Sequence, residues 1–151
     1  VTPTPVVTPT PVVTPTPAAG AVKPVVEVKS SFGSTVSQTY KVTSAGTEGV
    51  DLSKLVIRYN YTKDGNKEQK FWCDNAGISL NVAPWYVSYT TNVTGTFGDG
   101  YLELSFKDAY VLQPNTGNLT IGARFNQADW SSYTNFQEGT VEVYYDGVLM
   151  N

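Results

Sequence analysis

From Pro24 onward, apolar and polar residues alternate with a period of two in short segments, and no stretch repeats with the 3.6-residue period of a helix. Leu55, Ile57, Tyr59 and Tyr61 share one face of such a segment, as do Leu102, Leu104 and Phe106, and Leu119, Ile121, Ala123 and Phe125. These runs are separated by clusters of Gly, Asn, Asp and Ser, at spacings that suit a sandwich. The pattern predicts about nine strands: Val25 to Ser30, Gln38 to Thr43, Leu55 to Tyr61, Glu68 to Cys73, Val93 to Phe97, Tyr101 to Phe106, Leu119 to Phe125, Thr140 to Tyr145 and Val148 to Met150. Asp64-Gly65, Asp99-Gly100 and Asp146-Gly147 are turn signals expected to join neighbouring strands as hairpins. The fold class expected is all-β.

Ahead of this domain the alternation gives way to VTPTPV, repeated almost three times over residues 1–17. Threonine and proline in this arrangement build no core, and proline favours polyproline II, so residues 1–23 read as an extended linker to a domain at 24–151. At about 3.1 Å per residue the repeat would reach about 50 Å.

Composition removes several classes of function. Net charge is −3 and the basic residues are scattered, so the attraction that a nucleic acid or an anionic membrane requires is absent. No apolar run approaches the roughly 20 residues that span a bilayer, so no membrane contact is expected. The chain has no histidine, which excludes the usual serine or cysteine triad. Cys73 is the only cysteine, so neither an intramolecular disulfide nor a thiolate zinc site can form, and a small buried hydrophobe is expected there. Asp74, Asp129, Glu103 and Glu142 could in principle pair as glycosidase carboxyls, but no motif sets them the roughly 5 to 9.5 Å apart that the chemistry needs. No enzyme is expected.

Two stretches break the strand pattern. RFNQADWSSYTNF (124–136) follows a strand and places Asp129, Trp130 and Tyr133 on a loop, with Arg124 facing outward at the strand's end. In CDNAGISLNVAPWYVSY (73–89), Asp74 and Asn75 are expected to leave the strand, with Trp85, Tyr86 and Tyr89 on a loop broken by Pro84. Tyr133, Tyr89 and Trp72 are the aromatics most readily placed in the core or beneath loops. Asp74 and Arg124 read either as a surface ion pair of at most about 1 kcal/mol or as a flat plate joined by bidentate hydrogen bonds.

A row of aromatic faces and planar polar groups suits carbohydrate. Sugar rings present C–H groups on their faces and hydroxyls on their rims, so rings stack on the faces while amide, carboxylate and guanidinium groups bond the rims. Each such polar contact adds only about 0.5 to 1.5 kcal/mol net. Several contacts made at once by one rigid body do not each incur the entropic cost of association, so a row of them can hold a flat polymer.

The runs DLSKLVIRYNYTKDGNKEQKFWCDNA (51–76), NVTGTF (92–97), YLELSF (101–106), ARFNQADWSSYTN (123–135) and YYDGVL (144–149), in this order, resemble a family 3 carbohydrate-binding module across nearly the whole domain. The resemblance implies a jelly-roll β-sandwich of two antiparallel sheets that binds crystalline cellulose or a related plant cell-wall glucan without catalysis. It implies an extracellular setting, in cellulases, scaffoldins or a membrane-anchored sensor of polysaccharide, and a monomer. The family's cellulose-facing strip falls on Asp74, Arg124 and Trp130, with Asn75 where the family has histidine and either Trp85 or Tyr86 as the aromatic of the intervening loop.

The match departs in places. Gly122 stands where the family places a polar anchoring residue, usually Gln, and the region around Ser30 and Ser31 is shortened. The family's structural calcium ion would take oxygens from Thr62, Asp64 and Thr134, but the Asn-Asp pair that should follow is missing, and Asn135 or Glu138 would have to complete the 6 to 8 oxygens a calcium ion takes. These departures motivate a second reading, a module that keeps the fold, has lost cellulose binding and serves as a structural or protein-interaction unit.

Overall fold

The computed structural model describes residues 21–151; the expected linker, apart from its last three residues, lies outside them. Twelve strands form, β1 (Pro24–Ser31), β2 (Thr35–Ser44), β3 (Val50–Asp51), β4 (Leu55–Thr62), β5 (Gln69–Leu80), β6 (Tyr86–Ser88), β7 (Val93–Gly98), β8 (Tyr101–Phe106), β9 (Val111–Leu112), β10 (Gly117–Gln127), β11 (Gln137–Tyr145) and β12 (Val148–Leu149). They build two five-stranded sheets in the orders β1-β2-β10-β5-β6 and β12-β11-β4-β8-β7, with β3 and β9 as a separate pair. All pairings within these sheets are antiparallel.

The alternating runs become the core as expected. Leu55, Ile57 and Tyr59 on β4, Leu102 and Leu104 on β8, and Leu119, Ile121 and Phe125 on β10 are fully enclosed between the two sheets. Phe125 is the hub of an aromatic cluster at one end of the sandwich, stacking on Tyr61 at 5.3 Å and meeting Tyr133 edge-on at 5.9 Å. Burial of Tyr59 and Tyr61 pushes both phenols up to about 12.

Three expectations need correction. Asp64-Gly65 does not close a hairpin, because β4 and β5 belong to different sheets and the turn is an arch between them. The turn residues fixed a chain reversal without fixing its partner. Asp99-Gly100 and Asp146-Gly147 do close hairpins, the latter with φ of 49° and 79° at its two central residues. β5 does not end at Cys73 but continues to Leu80, and the tyrosine-rich loop contains a further strand, β6, paired to it. Cys73 faces inward but is only half-buried, and that burial together with the neighbouring Asp74 charge raises its thiol pKa.

The outer face of the second sheet carries its own charged cluster. Arg58 lies 4.2 Å over the Tyr101 ring and 5.2 Å over Tyr144, and donates to Glu103 at 2.9 Å. Asn60 and Tyr144 both donate to Glu142.

Candidate functional site

A β-bulge is the first element of the site. Along the β5–β10 pairing, Ala123 faces Cys73 and Gly122 faces Asn75, so Asp74 is an extra residue with no partner. A bulge shifts the side-chain alternation by one position. Gln69, Phe71 and Cys73 point inward before it and Ala76 and Ile78 after it, and both Asp74 and Asn75 are therefore turned outward while remaining in the strand. Sequence alternation alone could not show this, and it is why the strand seemed to stop at Cys73.

Arg124 is the cross-strand neighbour of Trp72 on this outer face. Its Nε donates to both carboxylate oxygens of Asp74, at 3.0 and 3.1 Å. The contact runs through Nε alone and not through the expected two-pronged fork, and the guanidinium carbon sits 5.3 Å from the centre of the Trp72 ring. Trp72, one of the aromatics expected in the core or beneath loops, is outside the core and packs against the loop residue Trp130. It occupies the same face as Lys70 and Asp74, which strand parity already indicated. Tyr89 is buried, as expected, with its hydroxyl donating to the Asp108 carbonyl at 2.6 Å.

The loop after β10 is held from below. Tyr133 and Phe136 insert into the aromatic cluster at one end of the sandwich, with Phe136 5.2 Å from Tyr61. The buried Gln127 amide donates to the carbonyls of Ser131 and Ser132. Asp129 accepts from the Ser131 backbone at 3.0 Å and from Lys67 at 2.8 Å. These bonds, Lys67 foremost, hold the Asp129 carboxyl well below the usual aspartate range. With its neighbours fixed, Trp130 adopts φ of 65° and remains 59% exposed, its ring stacked on Trp72 at 6.3 Å and 23°. A left-handed conformation at a bulky residue is maintained only where the surroundings determine it.

At the other end of this outer face Tyr86, on β6, reaches over β5. A Cβ placed on Gly77 would come within 2.2 Å of the Tyr86 hydroxyl and 2.5 Å of the carbon that bears it, so the missing side chain is what lets the phenol end of the ring lie against the backbone. Gly122 does the same for Asn75, whose amide oxygen would be 2.8 Å from a Cβ at that position. Trp85 sits at the end of the β5–β6 turn at φ of 70°, 63% exposed, with its backbone closing the turn through Val82 and Leu80. Trp72, Asp74, Asn75 and the Tyr86 ring over Gly77 therefore follow one another along β5, over roughly 15 Å at about 3.3 Å per residue.

The residues that the family resemblance assigns to calcium meet only in part. The Asp64 backbone N–H donates to the Thr134 carbonyl at 2.9 Å, and the Asn135 amide donates to the Asp64 carboxylate. Thr62 ends β4 beside them. Glu138 instead accepts from Ser30 at 2.6 Å, across the seam between the two sheets. The Asp64 carboxylate is already engaged by the Asn135 amide, which leaves it a poor fit to a cation that takes 6 to 8 oxygens. Among the described residues no group of three acidic or thiolate side chains comes together that could hold a metal. The expectation of calcium finds no matching donor set in this arrangement.

The comparisons with known proteins agree with this architecture. The model of the cellulose binding domain family matches residues 22–140. The chain is 42% identical over 109 residues to cellulosomal-scaffolding protein B of Acetivibrio thermocellus, covering 66% of this chain and 14% of that protein. It is 38% identical over 131 residues to beta-mannanase/endoglucanase A of Caldicellulosiruptor saccharolyticus, covering 77% of this chain and 10% of that enzyme. Among solved structures, the family 3a carbohydrate binding module from the cipA scaffolding of Clostridium thermocellum superposes with a TM-score of 0.72 at 37% identity, covering 84% of this chain and 98% of that one. This chain is a member of the family 3 carbohydrate-binding modules, the cellulose binding domain family, with the jelly-roll β-sandwich of that family.

Proposed function

We propose that the domain binds crystalline cellulose non-catalytically through the outer face of the first sheet, with Trp130, Arg124, Asp74, Asn75 and Tyr86 as the contact row, and holds its parent protein on polysaccharide outside the cell. The observation that carries the reading is the bulge at Asp74, which turns two consecutive polar residues outward in line with two exposed aromatic rings. Tyr86 is preferred to Trp85 because its ring lies on the Gly77 backbone within that line. Rings would cover sugar faces, and the Arg124–Asp74 pair and the Asn75 amide would bond hydroxyls at the rims. A smaller amide in place of an imidazole offers less stacking area, which favours hydrogen bonding at that point of the row.

Catalysis has little support in the arrangement of the acids. Asp74 is held by Arg124 and Asp129 by Lys67 on the first sheet's side, while Glu103 is held by Arg58 and Glu142 by Asn60 on the other. Each carboxylate serves its own neighbour.

Pull-down of the domain with microcrystalline cellulose, amorphous cellulose, xylan and xyloglucan, with and without a chelator, tests the reading. Retention on microcrystalline cellulose is expected, with the chelator changing neither retention nor the thermal midpoint. A domain that passes through every matrix unretained would favour the alternative of a structural or protein-interaction unit. Lys67→Met should leave the fold intact and remove the foremost partner of Asp129 while the Ser131 bonds remain. Because the folded pKa of this group is depressed, its contribution is present above the unfolded pKa and lost only as pH falls through the folded value. In the variant the Asp129 carboxyl titration followed by NMR should move up toward the ordinary value of about 3.9.

A further inference from the structure

The contact row leaves Trp72 without a role, although it is the one residue that touches both ends of the loop-and-strand half of the site. Its ring stacks on Trp130 at 6.3 Å and 23°, and the Arg124 guanidinium lies 5.3 Å from its centre. Its Nε1–H donates to the Asn126 Oδ1 at 2.6 Å. Asn126 is fully buried and donates in turn to the Gln127 carbonyl, so the indole is pinned to the rigid end of β10. The other groups are less restrained. Trp130 belongs to a loop and is 59% exposed, and Arg124 is anchored only through Asp74 and this ring.

We propose that Trp72 is a positioning residue for the polysaccharide-binding strip, a fixed plate that sets the orientation of the Trp130 indole and the Arg124 guanidinium before ligand arrives. The inference rests on the strip reading above and extends it to a residue outside the contact row. A side chain that must be immobilised on binding costs affinity, and one already held does not. An indole on a loop, free to rotate over several rotamers, would meet a flat polymer face in only a fraction of them. Stacked on Trp72, it has one.

The expected effect is a roughly two- to tenfold loss of affinity when the plate is removed, the range that freezing one side chain or losing one aromatic pair implies. Adsorption isotherms on microcrystalline cellulose are to be measured for the wild type, Trp72→Ala, Trp72→Met, Trp72→Phe, Trp130→Ala and the double variant Trp72→Ala/Trp130→Ala, alongside far-UV circular dichroism. The wild type should show the exciton couplet of two stacked indoles, lost in every single variant at either position. Trp72→Ala and Trp72→Met should both weaken adsorption, whereas Trp72→Phe, which keeps a ring to stack on, should recover most of it. In the Trp130→Ala background the cost of Trp72→Ala should shrink, because half of what it positions is gone. Trp72→Met keeps the volume of the site filled and carries the test if Trp72→Ala does not fold. Adsorption of the Ala and Met variants equal to wild type overturns the proposal and leaves the strip reading standing. An undiminished cost in the Trp130→Ala background overturns it too, since Trp72 would then act as an independent contact. A wild type that does not adsorb at all overturns the strip reading itself and this inference with it.

Discussion

Trp130→Ala is expected to remove most retention on microcrystalline cellulose, weakening adsorption about 30-fold or more, while the thermal midpoint stays close to that of the wild type. The two halves of this expectation have separate physical sources. The indole is 59% exposed and its hydrophobic contact is with another surface ring, so no core cavity opens when it is cut back. Stability is carried instead by Tyr133, Phe136 and Gln127, which hold the loop from beneath and are untouched. Binding loses a large planar face that would be covered on contact, and truncating an aromatic anchor of this kind commonly costs about 2 kcal/mol, or about 30-fold. Adsorption isotherms and thermal denaturation of the same preparation check both halves. A variant adsorbing like the wild type would mean that Trp130 is not in the row, and a large drop in midpoint would mean that the loop depends on it.

Much of this architecture was legible from alternation alone, because β4, β8 and β10 as far as Phe125 bury one face and leave the other at least partly open, the alternation ending only where Asn126 and Gln127 are also buried. The family resemblance then pointed to Asp74, Arg124 and Trp130 as the proposed strip. What alternation could not carry were the places where the backbone breaks its own period. The bulge at Asp74 made a twelve-residue strand read as one ending at Cys73, since two outward residues in succession look like the start of a loop. β6 was hidden for a related reason, a three-residue strand behind Pro84 offering too little pattern. The arch at Asp64-Gly65 shows a different limit, as turn chemistry specifies a reversal and not which sheet the next strand enters. Trp72 is instructive, since it lies outside the core and packs beneath the loop that carries Trp130. Its parity with Lys70 and Asp74 already placed it outside the core, because the register of a half-buried strand leaves each residue only one face.

Gly77→Ala should weaken cellulose retention nearly as much as Tyr86→Ala does, although position 77 offers a ligand no side chain to touch. Tyr86 is 59% exposed, yet the phenol end of its ring lies over the Gly77 backbone, where an added methyl would come within 2.2 Å of the hydroxyl. Backbone on β5 cannot yield, being paired on one side to β10 through Thr120 and on the other to β6 through Ser88. The ring must therefore rise or swing away, and either movement shifts one end of the proposed row relative to Trp130, Arg124 and Asn75. Forcing a methyl into such a contact typically costs about 1 to 3 kcal/mol when the site is enclosed. Here the ring is free to move into solvent, so the cost should appear in binding and only slightly in stability. A flat ligand amplifies the effect, because a polymer surface meets all contacts at once and one raised ring holds the others off. The double variant Gly77→Ala/Tyr86→Ala supplies the control: with the ring gone, alanine at 77 should have almost no further effect on adsorption. Full additivity of the two substitutions would show that Gly77 acts on the sheet and not through Tyr86, and the shelf would then not extend to that end.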